Sequence, residues 1–216
     1  MKSYAIIGLG LFGKKLAKTL YAYDQDVLAV DVNEEYVNAI AGTVTRAVTA
    51  DAKDLEILRT LGVQDCDCAV VAVGTDLAAS VLITMNLKNL GVPRIICKAY
   101  DNTHCDILKK LGADQVIIPE FVVAEKVAAS LASPNILESI ELSDKYGIVE
   151  CNPPRAWVGK SIKELGVRVK YGISVIAIKD GNKTNVSPSA DSIVTESCIL
   201  VLLGEYTDLS RLEKIK

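Results

Sequence analysis

Short apolar runs and amphipathic stretches take turns through the first half of the chain. The runs are YAIIG (4–8), DVLAVD (26–31), TRAVTA (45–50), CAVVAVG (68–74), RIICKAY (94–100) and QVIIP (115–119). Most are continuously apolar rather than alternating, the pattern of strands covered on both faces. Residues 12–22, 52–61, 76–90 and 102–111 carry apolar positions at helical spacing, and in the first of these Phe12, Leu16, Ala17 and Leu20 share one face. Strands alternating with helices predict an α/β, Rossmann-like doubly wound parallel sheet. The segment 120–133 predicts one more helix, ended by Ser133-Pro134-Asn135.

Beyond that helix the rhythm changes, which places a boundary near residues 134–145. The expected organisation is a Rossmann nucleotide-binding domain over 1–135 and a small mixed α/β C-terminal domain over 140–216. In the second part, ISVIAIK and CILVLLG read as strands, and Asp180-Gly181 predicts a hairpin turn. A domain this small is marginal alone and is often completed by oligomerisation.

Composition narrows the functional classes. Half of the 216 residues are hydrophobic, 24% are charged and the formal net charge is -3, which describes a folded globular chain. Acidic and basic residues nearly balance and no long Lys/Arg run occurs, so no nucleic-acid partner is expected. The first apolar run is too short for a signal-peptide core and leads into glycines, and no apolar stretch is long enough to span a bilayer; a cytoplasmic chain is expected. The six cysteines are scattered, mostly in or beside apolar runs, and read as reduced thiols. Cys66 and Cys68 have the proximity of a soft-metal pair, but no second pair with zinc spacing exists, and buried structural cysteine is the other reading.

Candidate chemistry starts at IIGLGLFGKKLAKTL. Gly8, Gly10 and Gly13 form a GxGxxG turn between the first predicted strand and helix. In such a turn the first glycine ends the strand, the second lets backbone approach a pyrophosphate, and the third permits close packing of helix on sheet. The helix amino terminus offers free N–H groups to the anion. Asp31 closes the second strand, where a carboxylate accepts hydrogen bonds from ribose hydroxyls and repels a 2′-phosphate, which disfavours NADP. Asp51 ends the third predicted strand and either reaches adenine or ribose or caps a helix starting at Ala52.

Signs of catalysis are thin. The single histidine, His104, reads as a surface residue in the first turn of a helix rather than a base, and Lys98 and Tyr100 lie near a strand end without a recognisable dehydrogenase spacing. A bound nucleotide is therefore expected to be sensed rather than consumed, and the protein is not expected to be an enzyme.

These motifs resemble the RCK (regulator of K⁺ conductance) family, the cytosolic subunits of Trk/Ktr-type bacterial potassium transporters. The amino-terminal half matches through IIGLGLFGKKLAKTL, VLAVDVNEE, VTADAKDLEILRTLGV, CAVVAVGTDLAASVLITMNLKNLGV and KLGADQVIIPE, and the carboxy-terminal half through VGKSIKELGVRVKYGISVIAIK, VSPSADSIV and LVLLG. The resemblance implies a Rossmann domain that dimerises, assembles into a ring and docks under a membrane potassium-translocating subunit on the inner face of the membrane. One RCK unit fills the chain, as in Ktr-like members; Trk-like members often carry two.

The resemblance also implies NAD(H) or an adenine nucleotide (ADP, ATP or AMP) at the glycine turn. The candidate residues for that site are Gly8, Gly10, Leu11, Phe12, Gly13, Asp31, Asn33, Asp51, Ala52, Val73 and Gly74. Many Ktr-like members have arginine where this chain has Leu11, so discrimination of ATP from ADP is in doubt here. Glu120 occupies the position where some relatives hold a divalent cation at the dimer interface; an ordinary acid at a helix start is the alternative. In some relatives cyclic di-AMP binds between carboxy-terminal halves. The corresponding residues here are Ile162, Leu165, Val167, Arg168, Ile173, Val175 and Pro188, with a domain core and an Arg168 ion pair as the other reading. Two rival functions are a small NAD-dependent oxidoreductase and a nucleotide or redox sensor acting on another partner.

Overall fold

The computed structural model describes residues 1–74, 76–132 and 136–215. Its packing divides the chain into two compact units, residues 1–122 and 123–216. In the first, six strands form one sheet: β1 (Ser3–Ile7), β2 (Asp26–Asp31), β3 (Arg46–Thr49), β4 (Cys68–Val71), β5 (Ile95–Lys98) and β6 (Gln115–Ile117). Their order is β3-β2-β1-β4-β5-β6 and every neighbouring pair is parallel, the doubly wound arrangement expected from the alternating pattern.

Two apolar layers explain why the strands read as unbroken hydrophobic runs. Ala5, Ile7, Leu28, Val30, Ala69 and Val71 pack into one layer, while Ile6, Val27, Ala29, Cys68 and Val70 pack into another. Alternate residues of each central strand face opposite sides of the sheet, and both sides are covered.

The helices of this unit are α1 (Leu11–Ala22), α2 (Glu34–Asn38), α3 (Leu55–Leu61), α4 (Leu77–Asn89), α5 (Asn102–Lys110) and α6 (Pro119–Ala132), the last continuing into the second unit. The carboxylates of Asp54, Asp76 and Asp101 accept from backbone N–H groups in the first turns of α3, α4 and α5, and the Asn33 side chain does so for α2. These caps satisfy amino-terminal donors and fix where each helix begins. Two of them correct the sequence reading. Helix α2 is a single capped turn too short to show periodicity, and α3 begins at Leu55 under Asp54, so Asp51 is not a helix cap.

The second unit is built on an antiparallel sheet of order β10-β9-β11-β8-β7, made by β7 (Ile136–Glu141), β8 (Tyr146–Cys151), β9 (Ser174–Asp180), β10 (Lys183–Asn185) and β11 (Ile199–Glu205). Asp180 pairs with Lys183 across a tight turn in which Gly181 has φ +54, the expected hairpin. Strand β7 falls inside the stretch that the sequence pattern marks only as a change of rhythm. All of its residues after Ile136 are exposed, so it carries no buried face to show as a pattern, and it is held by its ladder with β8. The GKSIKELGVRVKYG stretch folds as α7 (Ile162–Leu165) and α8 (Val167–Tyr171), separated by Gly166 at φ +58. Ser161 and Glu164 form a reciprocal capping box at the start of α7. Helix α9 (Tyr206–Leu209) follows β11. Trp157, buried against Tyr171 at 5.5 Å between ring centroids, anchors a core with Leu165, Val167, Ile173, Leu200 and Leu202. Ser133, Pro134 and Asn135, the predicted stop of α6, lie outside the described residues.

Candidate functional site

The strand order reverses between β1 and β4, and the loops at their carboxyl ends frame a cleft of about 520 Å³. Gly8, Gly10, Leu11, Phe12, Asp31, Asp51, Ala52, Val73 and Gly74 all line it, so nine of the eleven residues expected to hold a nucleotide share one cavity. The remaining two, Gly13 and Asn33, act from behind the wall. A Cβ on Gly13 would sit 1.9 Å from the Gly8 carbonyl oxygen, so this glycine lets α1 press against the turn. Asn33 is occupied as the cap of α2, its Oδ1 accepting from Glu35 N–H.

The turn itself demands glycine at its first position. Gly8 has φ +95, and its N–H donates to the Val30 carbonyl at 2.8 Å. Gly10 differs: its φ of -61 and ψ of -172 suit any residue, and a Cβ there would meet nothing within 4 Å. Its lack of a side chain therefore leaves space in the cleft and answers no need of the fold. Gly10 is also the N-cap of α1, where no side chain caps the helix. In contrast with α2 to α5, the first donors of α1 remain free beside the cleft, a ready site for phosphate oxygens.

Opposite these free donors stands Asp31. Its Oδ2 accepts from Leu9 N–H at 2.5 Å and its Oδ1 from Asn33 N–H at 2.8 Å. The carboxylate is thereby held rigidly between the glycine turn and the start of α2, and each oxygen keeps a lone pair for a ribose hydroxyl. Asp51 lies further along the same side, its Oδ1 accepting from Lys53 N–H at 3.0 Å and its Oδ2 3.4 Å from the Lys53 ammonium.

At the other flank Lys98 extends from the end of β5. Its methylenes lie where a Cβ on Gly74 would touch them at 3.3 Å, and its ammonium is 6.0 Å from the centre of the Phe12 ring. The ammonium donates to Glu120 Oε1 at 2.7 Å, and that bond holds the Glu120 carboxyl below the usual carboxylate range. Glu120 thus faces a lysine within its own unit, and no group of three or more metal-ligating side chains exists among the described residues. Sequence reasoning considered Lys98 only as a dehydrogenase residue, although its place at a strand carboxyl end was the signal for a ligand contact.

His104 corrects its sequence reading. It is fully buried, with Nε2 3.1 Å from Ser80 Oγ and its ring 4.8 Å from that of Tyr100, and it lines no part of the cleft. Burial lowers its pKa and outweighs the nearby Asp101 carboxylate, so it is a neutral core residue. The cysteines are free, and burial pushes the thiols of Cys66 and Cys97 up to about 11 and that of Cys151 up to about 12, which makes them inert.

In the second unit the candidate residues divide. Leu165, Val167 and Ile173 are core side chains, whereas Ile162, Val175 and Pro188 are half-buried. Arg168 is exposed on α8, its Nε donating to Ser174 Oγ at 3.3 Å, and it makes no ion pair among the described residues.

A parallel 3-2-1-4-5-6 sheet with a glycine-turn cleft, followed by a small antiparallel domain, defines a Rossmann-type nucleotide-binding protein with an appended second module. Family comparison makes the class specific: residues 4–119 match the TrkA-N domain and residues 148–216 match the TrkA-C domain. The chain belongs to this TrkA-N/TrkA-C family, the RCK proteins. It is 42% identical to the Ktr system potassium uptake protein A of Bacillus subtilis, over 98% of this chain and 96% of that one. It is 38% identical to the Ktr system potassium uptake protein C of the same organism, over 99% and 96% respectively. Among solved structures, the GsuK channel bound to NAD shares the fold with a TM-score of 0.65 at 20% identity, covering 99% of this chain and 39% of that chain. The chain thus spans well under half the length of that channel. No helix among the described residues is long and apolar enough to cross a membrane.

Proposed function

We propose that the protein is a regulatory subunit of a potassium-uptake transporter: it binds an adenine nucleotide or NAD(H) in the cleft and gates a separate membrane subunit of Trk/Ktr type. The observation that carries this reading is the end-to-end match to potassium uptake proteins A and C, in which both halves are retained in order. The cleft supports the ligand class. Free α1 donors suit phosphates, Asp31 suits an unphosphorylated ribose, and a structural relative has been solved with NAD. In this reading the nucleotide is a signal rather than a substrate. The protein works at the cytoplasmic face as a homodimer that assembles into a ring, with domain limits of 1–135 and 140–216. Its second unit takes cyclic di-AMP through Arg168, the role that the family resemblance suggests, and Glu120 contributes to a divalent-cation site where two copies meet.

The test is restoration of potassium uptake in cells that lack it, using the membrane subunit with and without this chain. Uptake that requires the chain and is lost with a Gly10→Asp substitution is expected. Uptake indifferent to the chain, together with failure of the two proteins to copurify, would overturn the assignment.

A further inference from the structure

Helix α4 forms one wall of the cleft through Ala79 and Ile83, with Asp76 at its cap, and Asn86 of the same helix donates to the carbonyl of Lys53, another lining residue, at 2.8 Å. Ser80 and Thr84 of α4 are fully buried and line no part of the cleft. Thr84 Oγ1 donates to the Ser80 carbonyl at 2.7 Å and lies 3.3 Å from Cys97 Sγ on β5, while Ser80 Oγ lies 3.1 Å from His104 Nε2 on α5. His104 thus ties α5 to the helix that walls the cleft. The tie suits a neutral ring. Nε2 has its partner in Ser80, but Nδ1 is buried and has none among the described residues. A proton on the ring would make both nitrogens donors and leave a charged N–H without an acceptor in the core. The carboxylate that acts on the ring is Asp101, and its Oδ1 is already taken by the His104 backbone N–H at 2.7 Å, the cap that starts α5. The other neighbours offer no relief: Tyr100, between β5 and α5, presents its ring at 4.8 Å, Cys97 is engaged with Thr84, and Asp76 and Lys98 line the cleft. No further charged group among the described residues acts on the ring.

We propose that His104 is a positioning residue for the cleft, acting through Ser80: its neutral ring clamps α5 to α4, and proton uptake releases that clamp, so that nucleotide binding weakens as the pH falls. The proposal rests on the reading of the cleft as a nucleotide site and supplies its regulation. To reach an acceptor, a protonated ring must draw Asp101 off the α5 cap or leave the core for water, and either movement disturbs Ser80 and the residues 99–101 that follow Lys98. Both places belong to elements that frame the cleft, α4 through Ala79 and Ile83 and β5 through Lys98. The coupling works in both directions. A ligand that fixes the cleft wall favours the neutral ring, and it lowers the histidine pKa by the same factor by which protonation weakens the ligand.

His104 is the single histidine of the chain, so its imidazole signals in a proton NMR titration of the untagged protein need no assignment. The full chain is titrated free and saturated with NAD⁺, which carries no terminal phosphate to change charge between about pH 5.5 and 7.5. Where NAD⁺ does not bind, ADP replaces it in this titration, which reads the histidine and not the ligand. The expected midpoint is lower by about one pH unit in the complex, and calorimetry should find NAD⁺ bound about threefold more weakly at about pH 5.5 than at about pH 7.5. His104→Gln, which keeps a donor for Ser80 and takes no charge, should hold its affinity within about twofold over that range, and His104→Phe should lose the pH dependence as well. Thermal melts at both pH values confirm the fold; if His104→Phe fails to fold, the wild-type titration and His104→Gln carry the test. A midpoint unmoved by saturating ligand, or a loss of NAD⁺ affinity at low pH that persists in His104→Gln, would overturn the proposal and leave the nucleotide site standing. A chain that binds neither ligand at either pH would remove the site itself, and the proposal with it.

Discussion

Gly10→Asp separates the needs of the ligand from those of the fold. The Gly10 backbone lies in a region open to all residues, and a Cβ there contacts nothing within 4 Å, so the substitution creates no clash. Aspartate is also among the best N-cap residues and exceeds glycine by only a few tenths of a kcal/mol. The variant should melt at the wild-type temperature or about 1 °C higher, because a few tenths of a kcal/mol shift a chain of this size by that amount.

Binding should move the other way. The new carboxylate occupies the space in front of α1 and accepts from the donors intended for phosphate, which removes a charged hydrogen bond that typically contributes about 1.5–3 kcal/mol. It also sets two negative charges against each other, which at 4 Å costs about 1 kcal/mol in water and about 4 kcal/mol at an effective dielectric constant of 20. The least of these estimates together reach about 2.5 kcal/mol, close to two orders of magnitude in Kd. Calorimetry with ADP, ATP and NADH measures the loss, and a thermal melt measures the fold. Undiminished affinity in a folded variant refutes the placement of phosphate at this turn. Loss of binding that accompanies unfolding refutes the claim that Gly10 serves only the ligand.

The neighbouring glycine gives the opposite result: Gly13→Ala puts a Cβ 1.9 Å from the Gly8 carbonyl oxygen and should destabilise by about 2 kcal/mol or more, lowering the melting temperature by about 4–8 °C in a thermal scan. His104, buried and held neutral below its usual pKa, makes the unfolded chain the better proton acceptor as pH falls through about 6.5. Stability measured by urea unfolding should therefore decrease from pH 7.5 to pH 5.5, and His104→Phe should flatten that slope. The carboxyls of Asp67, Glu120 and Glu164, all held below their usual values, lose their contribution only as pH falls below about 4.5, so the two windows do not overlap. If cyclic di-AMP binds across two second units, it does so at one ligand per dimer. Arg168→Ala should then weaken it by at least about tenfold while Asp31→Ala leaves it unchanged; titration of the full chain that is insensitive to Arg168 overturns that assignment.

The sheet was legible because its signal is local and repeated. Central strands buried on two faces must be apolar throughout, and helical stretches follow β1, β3, β4, β5 and β6, so five strand-to-helix steps can be read without any knowledge of contacts. The glycine turn was equally legible, since Gly8 and Gly13 are dictated by backbone geometry within six residues of each other. Elements without a period were lost. The single turn of α2 and the exposed strand β7 depend on one cap and one ladder, neither of which writes a pattern into the sequence. His104 was misread because a polar residue in the first turn of a helix usually faces water. Here the partner that makes burial tolerable, Ser80, lies 24 positions away on α4.

The same limit governs the cleft. Leu11 is conspicuous in the sequence because it interrupts a motif, and its lack of charge argues for ligands with short phosphate chains. The structure returns a charge to the site from Lys98, far from the glycine turn in sequence and bonded to a glutamate a further 22 positions on. A motif specifies the backbone that receives a pyrophosphate, whereas a side chain that lines the rest of the cleft can be supplied by any strand ending at the same edge. In a doubly wound sheet every parallel strand delivers its carboxyl end to that edge. Contacts to a ligand in such a cleft are therefore written in the ends of several strands and not in the glycine turn alone.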